Sequence, residues 1–272
     1  MSIAQARRWR KAPYSTVAVA LLACSLAPTA KGTGLVPVSF ALLESSVSLH
    51  EPVYVNLAVR NGLPEAISLD LGFDRKEGFR FSVTQPDAST VNLQPYSRGG
   101  LGLSGLIVIE PGQGFDQQIL LNELYQIPKP GDYWIVVKLA TPIRTHSGRK
   151  LEPTPWGRMM LRVSDRDEKR LADVCERLAK KAIDVDYQAA RAAALALRYV
   201  HDPVAVPYLD IVLTRGDSGT KGFAIAGLAS IGTTDAVNRL TSHLKTEDAQ
   251  LRSQIQAALA QIRTGVKLEV ND

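Results

Sequence analysis

The sequence predicts an antiparallel β-sandwich followed by a short array of paired α-helices. Three observations carry this reading. The composition breaks near Ser164-Asp165: residues 35–165 hold 11 of the 15 prolines, 12 of the 20 glycines and 5 alanines, whereas residues 166–272 hold 2 prolines, 6 glycines and 18 alanines. Gly and Pro punctuate strands and turns, and Ala favours helix. The first part alternates apolar and polar residues, and the second repeats its apolar residues every 31 positions with helical spacing inside each unit. At 272 residues, 45% apolar and 22% charged, the chain suffices for two cores and has a globular composition, unlike collagen, a disordered tail or a polytopic membrane protein.

The strands follow in order. A first candidate spans 36–43. Val53, Val55, Leu57 and Val59 alternate with polar or small neighbours, as do Ile67, Leu69 and Leu71, then Phe79, Phe81 and Val83. Further candidates lie at 106–110 and 115–121. Pro130-Gly131-Asp132 turns into Tyr133, Ile135, Val137 and Leu139, and a last strand spans 158–164. Seven to nine short strands with turn signals between them predict the sandwich. Pro-Gly-Asp-Tyr before an alternating strand resembles the corner of immunoglobulin-like folds, where a tyrosine hydroxyl bonds back to the chain.

The helical part keeps its interval throughout. Leu197, Leu228 and Leu259 are 31 apart, as are Val200, Ile231 and Ile262, then Ala196, Gly227 and Ala258, and Ala193, Ala224 and Ile255. Leu178, Leu209 and Leu240 extend the series. The reading is a helix at 167–183, pairs at 187–200/203–214 and 219–231/234–245, and a helix at 248–263. Asp202-Pro203 and Thr233-Thr234-Asp235 open the second helices with a cap or a proline. Ala-Leu with a following aliphatic, then Asp-Pro or Thr-Asp, resembles the HEAT-like repeats of the type named for phycobilisome lyases, over about 188–263. The resemblance implies helix pairs that bury their apolar face only by stacking.

The N-terminus reads as an export signal. Arg7, Arg8, Arg10 and Lys11 precede the apolar Val17–Leu22 run, with no acidic residue before 31. The apolar run falls short of the ~20 residues that span a bilayer. Leu21-Leu22-Ala23-Cys24 resembles a bacterial lipoprotein lipobox, which implies a lipid on Cys24. The rival is ordinary cleavage near Pro28-Thr29-Ala30. The expected organisation is a signal peptide at 1–24, a linker at 25–34, the sandwich at 35–165 and the helical array at 166–272. The expected location is periplasmic, on the membrane or outer membrane as a lipoprotein, otherwise soluble periplasmic or secreted. Removing the four basic residues of the signal takes the net charge from +5 to +1, which leaves no electrostatic footprint for nucleic acid.

Chemistry-bearing motifs are sparse. Gly100-Leu101-Gly102-Leu103-Ser104-Gly105 fits G-x-G-x-x-G by letter, but the apolar run Leu106–Ile109 follows it where a phosphate site needs a helix. His50, His146, His201 and His243 show no metal-ligand spacing. No G-x-S-x-G elbow is present. Cys175 shares a helical face with Leu171, Val174, Leu178 and Ala182, which reads as a small buried hydrophobe. Asp165, Asp167 and Glu168 suit a helix N-terminus.

The sequence thus predicts a non-catalytic protein-binding or assembly module of the bacterial cell envelope, with no cofactor and no metal. Its partner is a protein, and any membrane contact is through the N-terminal lipid. The alternatives are an enzyme accessory of lyase-like type and a sandwich that inhibits a protease through a loop. Long loops at 86–105, with Tyr96 and Arg98, and at 141–157, with Arg144, His146, Arg149 and Trp156, are candidate recognition segments. Trp156 is a candidate contact, or else closes the sandwich edge. Arg177, Tyr208 and Arg239 are 31 apart and predict a binding stripe along the array, with Arg177 pointing away from the apolar face of its helix.

Overall fold

The structure, a computed structural model, describes residues 36–72, 76–93, 105–246 and 248–264. Cys24, the signal segment, Tyr96, Arg98 and most of the glycine-rich loop lie outside these residues.

Eleven strands precede six helices among the described residues. The strands are β1 (Val38–Leu42), β2 (Ser46–Ser48), β3 (Tyr54–Arg60), β4 (Ile67–Asp70), β5 (Phe79–Thr84), β6 (Thr90–Leu93), β7 (Leu106–Ile109), β8 (Gly114–Leu120), β9 (Gly131–Leu139), β10 (Arg144–Thr145) and β11 (Trp156–Ser164). They form sheets in the orders β1-β3-β8, β10-β4-β7 and β2-β11-β9-β5-β6. Every pairing is antiparallel except the short parallel one between β2 and β11. The alternation in the sequence marks the core faithfully. Val55, Leu57, Leu69, Phe79, Ile135, Val137 and Leu161 are all buried in one cluster. A Cβ at Gly157 would meet Phe40 Cβ at 2.9 Å, so glycine there lets the β1 and β11 sheets approach. The Tyr133 hydroxyl donates to the Lys129 carbonyl at 2.6 Å, the corner bond that the sequence predicts.

Two sequence expectations change here. β2, β6 and β10 are strands that the alternation did not mark, each four residues or fewer. Trp156 belongs to no loop: it opens β11, paired with Lys138.

The helices are α1 (Glu168–Ala182), α2 (Tyr187–Arg198), α3 (Val206–Arg215), α4 (Ser218–Ile231), α5 (Thr234–Ser242) and α6 (Ala249–Thr264). Side-chain caps open them. Asp167 accepts from Arg170 N, Asp186 from Gln188 N and Ala189 N, Asp217 from Thr220 N, Thr233 from Ala236 N and Asp248 from Leu251 N. Asp202 caps a short 3-10 turn (Pro203–Ala205) that leads into α3. α2, α4 and α6 pack in succession as one layer, with α1, α3 and α5 beside them. The 31-residue repeat positions fill the space between. Leu197, Leu228, Leu209, Leu240, Ala196, Gly227 and Ile255 are all buried. A Cβ at Gly227 would lie 2.9 Å from a Leu209 methyl, which accounts for the small residues recurring at this position.

The α1 face differs from the helical-wheel expectation. Leu171, Cys175, Ala179 and Ala182 enter the array core and Leu178 packs at its edge, while Val174 turns towards the β domain, where it lines a cleft together with Leu178. α1 therefore has packing on two sides. The β domain and the array meet there through polar bonds: Ser48 Oγ donates to Asp165 O at 3.2 Å and accepts from Asp167 N at 2.8 Å.

Candidate functional site

Three surfaces concentrate recognition chemistry. The first is the junction. Arg170 on α1 bonds Glu51 and Glu44 and the Ser46 carbonyl, all from the β domain. Arg166 forks onto Asp202, with Nε to Oδ2 at 2.6 Å and Nη2 to Oδ1 at 3.0 Å. Burial pushes the Asp202 carboxyl up, but the Arg166 and Val204 N–H hydrogen bonds outweigh it and hold the group below its ordinary range. Cys175 is buried in the array core. Burial, then the Asp202 and Glu51 charges, push its thiol up to about 12, so it is no ready nucleophile. That agrees with its reading as a small hydrophobe in the core.

Beside this latch lies a cleft of about 330 Å³. Leu43, Pro52, Tyr54 and Gln118 line it from the β domain, and Val174, Arg177, Leu178 and Lys181 from α1. Burial, then the Glu123 charge, push the Tyr54 hydroxyl up to about 12.

The second surface is the predicted stripe on the array. The structure puts Arg177, Tyr208 and Arg239 on α1, α3 and α5, in three different settings. Arg177 is exposed at the mouth of the junction cleft, on the same side of α1 as Val174 and Leu178. Tyr208 is half-buried against the array core; burial, then the charges of Glu176, Cys175 and Asp173, raise its hydroxyl. Arg239 pairs with Asp210 at 2.9 Å, and Asp210 also meets His243 Nε2 at 2.9 Å.

The third surface is the outer face of the five-stranded sheet. Its inward residues are core, so their neighbours point outward in register. Arg80, Lys138 and Trp156 form one row; Asn92, Ser82, Val136 and Arg158 the next; Thr90, Thr84, Trp134 and Met160 a third. Trp134 is 38% exposed, Met160 43% and Trp156 53%. The Arg158 guanidinium lies 4.1 Å from the Trp134 ring centroid, a cation–π contact. Of this group the sequence reading singled out Trp156 alone. The available signal was a Trp and a Met on the solvent phase of alternating strands.

Among the described residues, no three His, Cys, Asp or Glu side chains gather as a metal site. No described helix is long and apolar enough to cross a membrane.

Residues 171–260 match the family model for HEAT repeats. The match covers the array from α1 to α6. Among solved structures, the chain is similar to the CARDB domain of a Pyrococcus furiosus protein at 10% identity and TM-score 0.27, over 48% of this chain and 94% of that one. It is similar to a putative ApaA protein from Bordetella pertussis at 14% identity and TM-score 0.29, over 47% and 91%. It is also similar to a beta-glucosidase from Listeria innocua at 10% identity and TM-score 0.28, over 48% of this chain and 16% of the enzyme. No curated protein sequence matches the chain.

Proposed function

We propose that this protein is a non-catalytic binding or assembly module of the bacterial cell envelope, exported by its N-terminal segment and held at the membrane by lipid on Cys24. The HEAT-repeat array carries the binding part of the reading. Its two layers bury one side of each helix on a common core, and α3 and α5 leave Ile211, Thr214, Asn238 and Thr241 exposed on the other. Such a stacked surface suits a protein partner. The export part rests on the order of basic residues, apolar run and Cys24 in the sequence.

Photo-crosslinking from position 211 in envelope extracts tests the binding reading. A discrete partner adduct that disappears in Arg177→Ala/Tyr208→Ala/Arg239→Ala, with the melt unchanged, supports the stripe. An adduct that persists removes those three residues from the interface, and no adduct at all rejects the array as a binding surface. Fractionation tests the location: Cys24→Ala should leave the protein unprocessed or release it from membranes. A wild-type mature chain that begins after Ala30 would reject the lipid anchor and keep export.

A further inference from the structure

We infer that the outer face of the five-stranded sheet docks a short acidic segment of a protein partner, one that also carries apolar side chains. The inference rests on the binding-module reading and adds a second surface with defined chemistry. Three features of the face support it.

The first is charge. The outward positions of β5, β9 and β11 carry Arg80, Lys138, Arg158 and Arg162, against a single carboxylate, Asp132. Asp132 is already paired with Arg162 at 3.0 Å. Arg80, which also donates to the Glu77 and Phe79 carbonyls, Lys138, and Arg158, which stacks on Trp134, are all exposed, and no other carboxylate stands at the outward positions of these three strands, so the complementary surface is acidic.

The second is composition. Trp134, Met160 and Trp156 are all exposed, on adjacent strands, with Arg158 stacked on Trp134. Trp, Met and Arg are the types enriched where protein partners bury surface. Thr84, Thr90, Ser82 and Asn92 supply a hydrogen-bonding rim on the β5–β6 side. The arrangement is an apolar centre with a polar margin. A bilayer surface fits less well, because interfacial binding sinks apolar groups roughly 5–10 Å below the charged ones. Here the Arg158 guanidinium lies on the Trp134 ring, so charged and apolar groups share one surface.

The third is size. Strands β6, β5, β9 and β11, of four, six, nine and nine residues at about 3.3 Å each and about 4.8 Å apart, offer on the order of 450 Å². A standard interface needs about 800 Å² from each partner. The face is too small for a stable dimer of this chain and large enough for one extended strand or a short helix.

Two of the three tryptophans lie on this face, so their emission reports on it directly. The test titrates the full chain with a 16-residue peptide of Glu, Leu and Phe, with the same peptide carrying Lys for Glu, and with phosphatidylglycerol vesicles. The expected result is a saturable emission shift with the acidic peptide alone, weakened about tenfold or more in Lys138→Glu/Arg158→Glu. Trp156→Ser, at a more exposed position, should weaken it too and guards against misfolding of the charge variant. An equal response to the Lys peptide, binding unchanged by the charge reversal, or a response to vesicles without one to the acidic peptide would each overturn the inference. Arg177→Ala/Arg239→Ala should leave this titration unchanged. Loss of the peptide response beside a persistent position-211 adduct therefore rejects the sheet face alone, and the reverse pattern rejects the array.

Discussion

Arg170 Nε lies 2.5 Å from Glu51 Oε1, and Glu51 is only 4% exposed. This ion pair, with the Arg170–Glu44 pair beside it, joins the first turn of the array to the β domain. Removing one partner from a buried pair strands the other charge, whereas removing both can come close to neutral. Arg170 is partly exposed, which moderates the cost. We expect Arg170→Ala to destabilise the chain by about 2 kcal/mol. Arg170→Ala/Glu51→Gln should recover part of that loss. Urea unfolding followed by far-UV and near-UV signals checks this; a double variant no more stable than the single would show that the charge itself is unimportant.

Asp202 gives the junction an acid dependence. Its folded pKa is depressed, so its contribution is present above the unfolded value of about 3.9 and is lost as pH falls through the folded value. Stability should therefore drop on acidification below about pH 4. Asp202→Asn should be less stable at pH 7 and show a shallower acid limb. Urea midpoints between pH 7 and pH 2 measure both, and parallel curves for the two proteins would reject the assignment.

Cys175 should stay unreactive in the folded chain. Its thiol is buried and raised to about 12, so thiolate is scarce at pH 8. Iodoacetamide labelling, read by mass spectrometry on the peptide that contains Cys175, should proceed only after unfolding. Cys175→Ala should be tolerated better than Cys175→Asp, which would bury an unpaired carboxylate in the apolar array core.

Tyr133→Phe should cost about 1–2 kcal/mol, because it leaves the Lys129 carbonyl without the corner bond and retains the buried ring. Circular dichroism melts of the full chain check the magnitude. A melt equal to wild type would mean that water replaces the hydroxyl at no cost.

The longer strands and the helices were legible because their periods are set by backbone geometry. Residues 133–139 and 53–59 alternate over enough positions to declare which side faces inward. Repeats such as Leu197, Leu228 and Leu259 recur because each helix pair meets its neighbour in the same way. The short strands were not legible. β2 has three residues and β10 two, too few for a period, and each exists because a partner strand offers it hydrogen bonds.

The sequence by itself determined the two architectures, the core phases of the long strands, the Thr233 cap and the tyrosine corner, since each depends on neighbours within a few positions or on a fixed repeat. Only the tertiary structure decided which side of α1 met which body. Val174 and Cys175 are adjacent in sequence, yet one faces the β domain and the other the array, because α1 is apolar over a wide arc and two partners share it. Only the tertiary structure brought Arg158, Trp134 and Met160 together. Alternation sends each of them outward, but it is the register of β9 against β11 that places Met160 opposite Trp134, and register is a relation between strands that no single strand encodes.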